Sequence, residues 1–223
     1  RSTKYTHFMP EEKKRFLSDL AYFLLYDRDV LKAFSTENLI DFYQKFRNKY
    51  NLPLSEALMV AKEIESHTGI VVSSTDKHFE FAHLSTQEYI AALKILSLPR
   101  LNNIQIIVNK YQPPIAVAVA ISQESTEYLF EVIRWHKRAK RYNNMKSINL
   151  FSFFSRLVVE NPQFQPSYAL AIAAYYFLDF ARSQQETSTP DRILNRFNKI
   201  GSVKDAKAMF KEQVTILPPS GLS

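Results

Sequence analysis

Cysteine and glycine are scarce in this chain of 223 residues, and each scarcity excludes a class of function. There is no cysteine, so disulfides, thiol nucleophiles and thiolate metal sites are excluded, and a reducing compartment such as the cytoplasm is favoured. The three glycines, Gly69, Gly201 and Gly221, stand far apart. A phosphate-binding loop needs clustered glycines, so that backbone N–H groups can approach the phosphate. The chain alone is therefore not expected to hold a nucleotide.

Long apolar runs and catalytic motifs are also missing. The longest strongly apolar run, Tyr168 to Leu178, has eleven residues and is too short to cross a bilayer, and no secretory signal is present. No nucleophile elbow accompanies the serines, and His67, His78 and His83 lack the spacing of a zinc site. These absences predict no catalytic residue, no metal site and no membrane association.

The composition is that of a folded protein with a basic surface. Hydrophobic residues make up 46% of the chain, which is enough for a substantial core. The net charge of +7 is compatible with nucleic acid, anionic lipid or an acidic protein partner. The chain starts at Arg1 without an initiator methionine, which favours a piece cut from a longer protein.

Apolar residues at helical spacing predict three helices before Gly69. Gly69 is suited to the left-handed position that ends a helix. The first helix runs over residues 11–26, the second is capped at Ser35 and Thr36, and the third follows Pro53. Their predicted inward residues are Phe16, Leu20, Phe23 and Leu24; Leu39, Ile40, Tyr43 and Phe46; and Ala57, Leu58, Ala61 and Ile64.

The period then changes from helical to alternating, which predicts a short β-hairpin over residues 70–81. Ser85 and Glu88 have the spacing of a capping box and predict a further helix through Ile95. Three helices, a hairpin and another helix make a winged-helix-like module over about residues 8–98. The hairpin precedes the last helix, which differs from the commonest DNA-reading arrangement.

Beyond Pro99 only helices are predicted, so the fold class is mainly α: a winged-helix-like module with a short β-hairpin, followed by an all-helical domain. The expected domains are 1–98 and 99–217, with a disordered tail over 218–223. The candidate helices cover residues 104–111, 115–122, 125–142, 148–160, 167–183, 190–199 and 203–213.

The segment Phe79 to Ala92, with the sequence FEFAHLSTQEYIAA, is the most specific pattern in the chain. It resembles the winged-helix segment at the end of the NACHT module in signal-transducing NTPases of the STAND class, where an aromatic residue precedes F-x-H-x-S-x-Q-E-(F/Y)-x-A-A. The resemblance extends in layout over residues 10–98. Thr86 departs from it, because that position is usually bulkier and apolar, which affects packing more than role.

The resemblance implies that the winged helix folds onto a P-loop domain lying before Arg1, and that the histidine matching His83 contacts the β-phosphate of bound ADP. ADP or ATP with Mg would then be the switch ligand of the parent protein, a slow ATPase, while this chain carries no cofactor and is not an enzyme. Regulated self-oligomerisation in immune or antiviral (anti-phage) signalling is implied as well. Gln87, Glu88 and Tyr89 are expected to be structural: Gln87 bonds backbone in the wing, Glu88 closes the cap, and Tyr89 packs.

A basic cluster in the second half offers a different function. Its cations could contact the phosphates of a nucleic acid or another polyanion, with Trp135 stacking on a base, or they could form a solvated helix end. The cluster consists of Arg134, Lys137, Arg138, Lys140 and Arg141. Two alternatives to a nucleotide switch therefore remain: a winged-helix nucleic-acid-binding protein, and a helical protein-interaction scaffold. A protein or a nucleic acid is a possible trigger of the parent protein.

Overall fold

The structure is a computed structural model that describes residues 5, 8–28, 30–75, 77–99, 110–129, 131–132 and 151–160. The chain divides into two compact units, residues 1–114 and 115–223. The described residues are mainly helical with one small antiparallel sheet, which confirms the predicted fold class. The predicted domain limits at 98 and 217 stay predictions, and the tail 218–223 lies outside the described residues.

The first unit opens with helix α1, Pro10–Tyr22. Proline at the first helical position suits this start, because its fixed backbone angle is helical and its missing N–H would have no partner there. A wider π-helical turn, Phe23–Asp27, continues α1 and buries four of its five residues. The predicted inward face of this helix is confirmed, since Phe16, Leu20, Phe23 and Leu24 are all at most 3% exposed.

Strand β1, Ala33–Ser35, leads directly into helix α2, Thr36–Phe46. Ser35 caps α2 as predicted: its hydroxyl accepts from the Asn38 N–H, and the Asn38 side chain accepts from the Ser35 N–H. A 3₁₀ turn, Arg47–Tyr50, then ends at Asn51, whose φ of 51° turns the chain away. Strand β1 was not predicted from the sequence, because an alternating pattern of apolar and polar residues cannot be recognised over three residues.

Helix α3, Ala57–Thr68, ends at Gly69, which has the predicted left-handed conformation with φ of 62°. The predicted inward faces of α2 and α3 are partly wrong. Ile40 and Leu58 are 37% and 40% exposed, whereas Phe42 and Val60 are fully buried. Among the other predicted residues, Leu39, Tyr43, Ala57, Ala61 and Ile64 are buried, so each error concerns one edge of the inward face, which the loose apolar pattern of these segments could not resolve.

Strands β2, Val71–Thr75, and β3, His78–Phe81, form the predicted hairpin. Strand β1 pairs with the other edge of β3, so the order is β1-β3-β2 and all neighbours are antiparallel. Phe34 of β1 stacks on Phe79 of β3, with 5.9 Å between ring centroids. Helix, strand, two helices and a hairpin therefore follow one another as in a winged-helix module.

Helix α4, Leu84–Ser97, follows β3 and packs along α1. An aromatic cluster centred on Phe16 fills the space between α1 and the α2 region. The ring centroids of Phe42, Tyr50 and Phe8 lie 5.1, 5.3 and 5.5 Å from that of Phe16, all close to edge-on. Edge-to-face pairs of this kind add about 0.5–1.5 kcal/mol each beyond the area they bury.

The described part of the second unit is helical, as predicted. Helix α5, Pro113–Ile121, begins at the boundary of the two units, and helix α6 spans Phe151–Glu160. Residues 125–129 and 131–132 are helical as well. The predicted helices over 167–183, 190–199 and 203–213 lie outside the described residues. Among the helices that the structure describes, none has the length and apolarity that a membrane span requires.

Candidate functional site

The segment Phe79–Ala92 forms strand β3 and the first half of α4. Phe79 and Phe81 point into the core, at 3% and 5% exposed, and both face the ring of Phe34. The N–H of Ala82 donates to the carbonyl of Ile70 at 2.9 Å, which ties the end of β3 to the residue before β2. The strand and this bond therefore fix the direction in which α4 begins.

His83 occupies the N-cap position of α4. Its carbonyl accepts the N–H groups of Thr86 and Gln87 at 3.1 and 3.2 Å, while its backbone is extended, with φ of −142° and ψ of 143°. The imidazole makes no capping hydrogen bond and is exposed. His83 therefore starts the helix with its backbone and leaves its side chain available to solvent or a ligand.

The predicted capping box at Ser85 and Glu88 is wrong. The helix begins two residues earlier than predicted, at Leu84 with His83 as its N-cap, so that Ser85 lies inside the first turn instead of at the cap. Glu88 is 3% exposed, and its Oε1 accepts the hydroxyl of Tyr111 at 2.6 Å. Tyr111 lies 23 residues further along the chain, so Glu88 ties the segment after α4 to this helix.

Gln87 is fully buried, and its Nε2 donates to the carbonyl of Leu31 at 2.9 Å. The prediction that Gln87 bonds backbone is correct, but the carbonyl precedes β1 and lies outside the hairpin. Tyr89, expected to pack, is 46% exposed. The Gln-Glu-Tyr stretch therefore turns two polar side chains inward and one aromatic side chain outward.

A buried acid that the sequence analysis missed joins α1 to α4. Asp19 is 2% exposed, and its carboxylate accepts from Lys49 at 2.5 Å, Tyr50 at 2.6 Å and Lys94 at 2.7 Å. Burial acts to raise the pKa of Asp19, but the hydrogen bonds from these three residues more than offset it and hold that pKa below its usual range. Burial and the neighbouring carboxylate raise the pKa of Tyr50.

A second buried ion pair lies near the C-terminal end of α3. The ammonium of Lys13 is 2.8 Å from Glu63 Oε1 and 2.8 Å from His67 Nδ1, and Lys13 is 4% exposed. Asp19 was detectable as an acid inside an apolar helical stretch, whereas Lys13 lies in a run of charged residues, and the partners of both come from other elements. Both clusters stabilise the packing of the helices, and His83 belongs to neither.

The basic cluster Arg134, Lys137, Arg138, Lys140 and Arg141 lies outside the described residues, so its role stays a prediction. In the described ranges, no three histidine or acidic side chains come together in a way that could hold a metal ion. The exposed face of α3 carries Leu58 and Met59, 40% and 49% exposed, with Lys62 beside them.

The chain was compared with protein-family models, curated proteins and solved structures, and none of them matched. The resemblance to the NACHT module therefore still depends on residues 79–92 and their layout. The site defined by these residues is the exposed imidazole of His83 at the start of α4. Buried aromatic and polar side chains of the same segment fix the position of this helix.

Proposed function

We propose that this chain is the winged-helix and helical part of a NACHT-type STAND NTPase, and that it senses whether ADP or ATP occupies the P-loop domain of the intact protein. One observation supports this proposal above the others. The imidazole of His83 is exposed at the N-terminal end of α4, while Gln87 and Glu88 of the same motif are buried. The motif residue expected to contact phosphate is thus accessible, and its neighbours are committed to packing.

The position suits an anionic ligand for two reasons. The N-terminal end of a helix carries partial positive charge and attracts phosphate, and an imidazole N–H can donate to a phosphate oxygen. A hydrogen bond to a charged group contributes about 1.5–3 kcal/mol. Since about 1.4 kcal/mol is a tenfold change, this one contact biases a closed-to-open equilibrium by about ten- to a hundredfold.

The bias acts as a switch only if the contact exists in one state. In the proposed closed state, ADP on the P-loop domain accepts the His83 hydrogen bond and holds the winged helix against that domain. Exchange for ATP with Mg then releases the winged helix and permits self-oligomerisation. A nucleotide can shift the closed-to-open equilibrium only by the difference between its binding free energies for the closed and the open state.

The test is His83→Ala in the intact protein, with His78→Ala as the matched control. His78 is also an exposed histidine of the same module, but it lies in the hairpin beside Thr75. We expect His83→Ala to accelerate release of labelled ADP by about ten- to a hundredfold and to raise basal signalling, and His78→Ala to change neither. Unchanged ADP release and unchanged basal signalling in His83→Ala would refute the proposal.

A nucleic-acid-binding function is separable by a direct measurement. Fluorescence anisotropy with labelled DNA or RNA, repeated at increasing salt, reports phosphate contacts as a steep loss of affinity. Binding that disappears when Arg134, Arg138 and Arg141 are neutralised would favour that alternative. A helical scaffold, in contrast, predicts no nucleotide effect even in the intact protein.

A further inference from the structure

A groove of about 660 Å³ lies between α1 and α4 in the first unit, with the end of α3 at its base. Its volume falls within the range of protein ligand sites, which is about 300–1,000 Å³. Each helix contributes one stripe of four residues to its walls. On α1 these are Pro10, Lys13, Lys14 and Leu17, and on α4 they are Thr86, Tyr89, Ile90 and Leu93.

The spacing of the two stripes indicates the shape of the occupant. Both stripes follow the pattern i, i+3, i+4, i+7, so each presents one straight helical face over two turns, about 10 Å long. A channel between two helical faces of equal length accepts a third helix, whose own side chains fill the space between the stripes. A compact small molecule does not require matched stripes of this length.

The chemistry of the walls indicates the side chains of the occupant. Leu17, Ile70 and Leu93 line the apolar part, and Tyr89 stands at the opening with 46% of its surface exposed. Partly exposed aromatic residues of this kind contribute a large share of the binding energy in protein interfaces. The occupant must therefore present an apolar stripe of its own.

The charge of the walls is of one sign. The ionisable side chains that line the groove, tyrosine apart, are Lys13, Lys14 and His67, and none of the described lining residues is acidic. The buried Lys13 ammonium is neutralised by Glu63 at 2.8 Å. Lys14 is exposed and has no acidic partner among the residues that the structure describes, so its charge is available to a carboxylate.

From these observations we propose that the α1–α4 groove binds a short amphipathic helix of a partner protein, with an apolar stripe facing Tyr89 and Leu93 and a carboxylate facing Lys14. This inference does not depend on the nucleotide-sensing function, because the described residues that line the groove do not include His83 and all belong to the first unit. The two-turn length predicts a weak and transient complex, in which the acidic group sets the orientation of the helix.

The probe is a random phage-displayed peptide library of about 14 residues per peptide, or four helical turns, panned on the full 223-residue chain. We expect the enriched peptides to be acidic, to place apolar residues at i, i+4 and i+7, and to become helical on binding by circular dichroism. Enrichment of extended or basic peptides, or of none, would overturn the proposal. Displacement of a fluorescent fatty acid with no peptide enrichment would instead identify a small-molecule site.

Fluorescein-labelled copies of the enriched peptides then map the contact by anisotropy. Tyr89→Ala and Lys14→Glu should each weaken binding about tenfold or more, and Met59→Ala should leave it unchanged, because Met59 is an equally exposed apolar residue of α3 outside the groove. A peptide with the contacting Glu changed to Lys should bind Lys14→Glu better than it binds the wild-type chain. Equal binding to all three variants would place the contact elsewhere and overturn the proposal.

Discussion

The two faces of helix α4 use neighbouring residues of one motif for opposite purposes. The inward face carries Gln87 and Glu88, both at most 3% exposed, and each holds a segment that is distant in sequence. The outward face carries the exposed Tyr89, and His83, also exposed, precedes the helix at its N-cap position. The motif is thus divided into a structural face of α4, with Gln87 and Glu88, and two exposed residues that are available for binding.

The division has an energetic consequence. Truncation of a buried hydrogen-bonded side chain leaves its partner unsatisfied, whereas truncation of an exposed side chain changes stability by about 0.5 kcal/mol or less. Substitutions of the buried and of the exposed residues should therefore differ in their effect on stability, and only those of the exposed residues should affect binding without unfolding. The following four predictions test this comparison.

The largest effect is expected for Asp19→Ala, which removes the acid that holds the inward face of α4 to α1 through Lys94. Two ammonium groups and the Tyr50 hydroxyl lose a common acceptor in a buried site, so the free energy of unfolding should fall by about 3 kcal/mol. Urea denaturation measures this change. Asp41→Ala is the control, because Asp41 pairs with Arg28 at the surface and should cost less than about 1 kcal/mol.

Gln87→Ala should lower the free energy of unfolding by about 2 kcal/mol, because it leaves a cavity and removes the donor to the Leu31 carbonyl. Gln44→Ala is the matched control on an exposed position of α2 and should have almost no effect. Equal urea midpoints for the two variants would contradict the assignment of Gln87 to the structural face.

The pH dependence of stability provides a smaller effect on the same cluster. The pKa of Asp19 is lowered in the folded state, so its contribution is present above the unfolded pKa of about 3.9 and is lost as pH falls through the folded pKa. The wild-type chain should therefore lose more stability between neutral pH and the acidic end of that range than Asp19→Ala loses. Urea denaturation at each pH measures the free energy of unfolding of both proteins. If this free energy falls in parallel for the two as pH is lowered, the contribution of Asp19 is ruled out.

Local sequence patterns were sufficient to predict the helices and the hairpin, but not the residues that Gln87 and Glu88 contact. Helical spacing predicted α1, α3 and the position of Gly69, and alternation predicted the hairpin, because these depend on neighbours in sequence. The bond between Glu88 and Tyr111 spans 23 residues, and that between Gln87 and Leu31 spans 56. Since no periodic pattern encodes such pairings, Glu88 was assigned to a local capping box.

The smallest effect is expected for His83→Ala, and its size is the sharpest test of the division of α4. The imidazole makes no capping bond, so its removal should change the free energy of unfolding by less than about 0.5 kcal/mol in urea. A loss above about 1 kcal/mol would mean that the His83 side chain has a structural role, because capping side chains typically contribute that amount. If stability is unchanged, any faster ADP release from the intact His83→Ala protein must come from a lost ligand contact, because the helix that carries residue 83 remains in place.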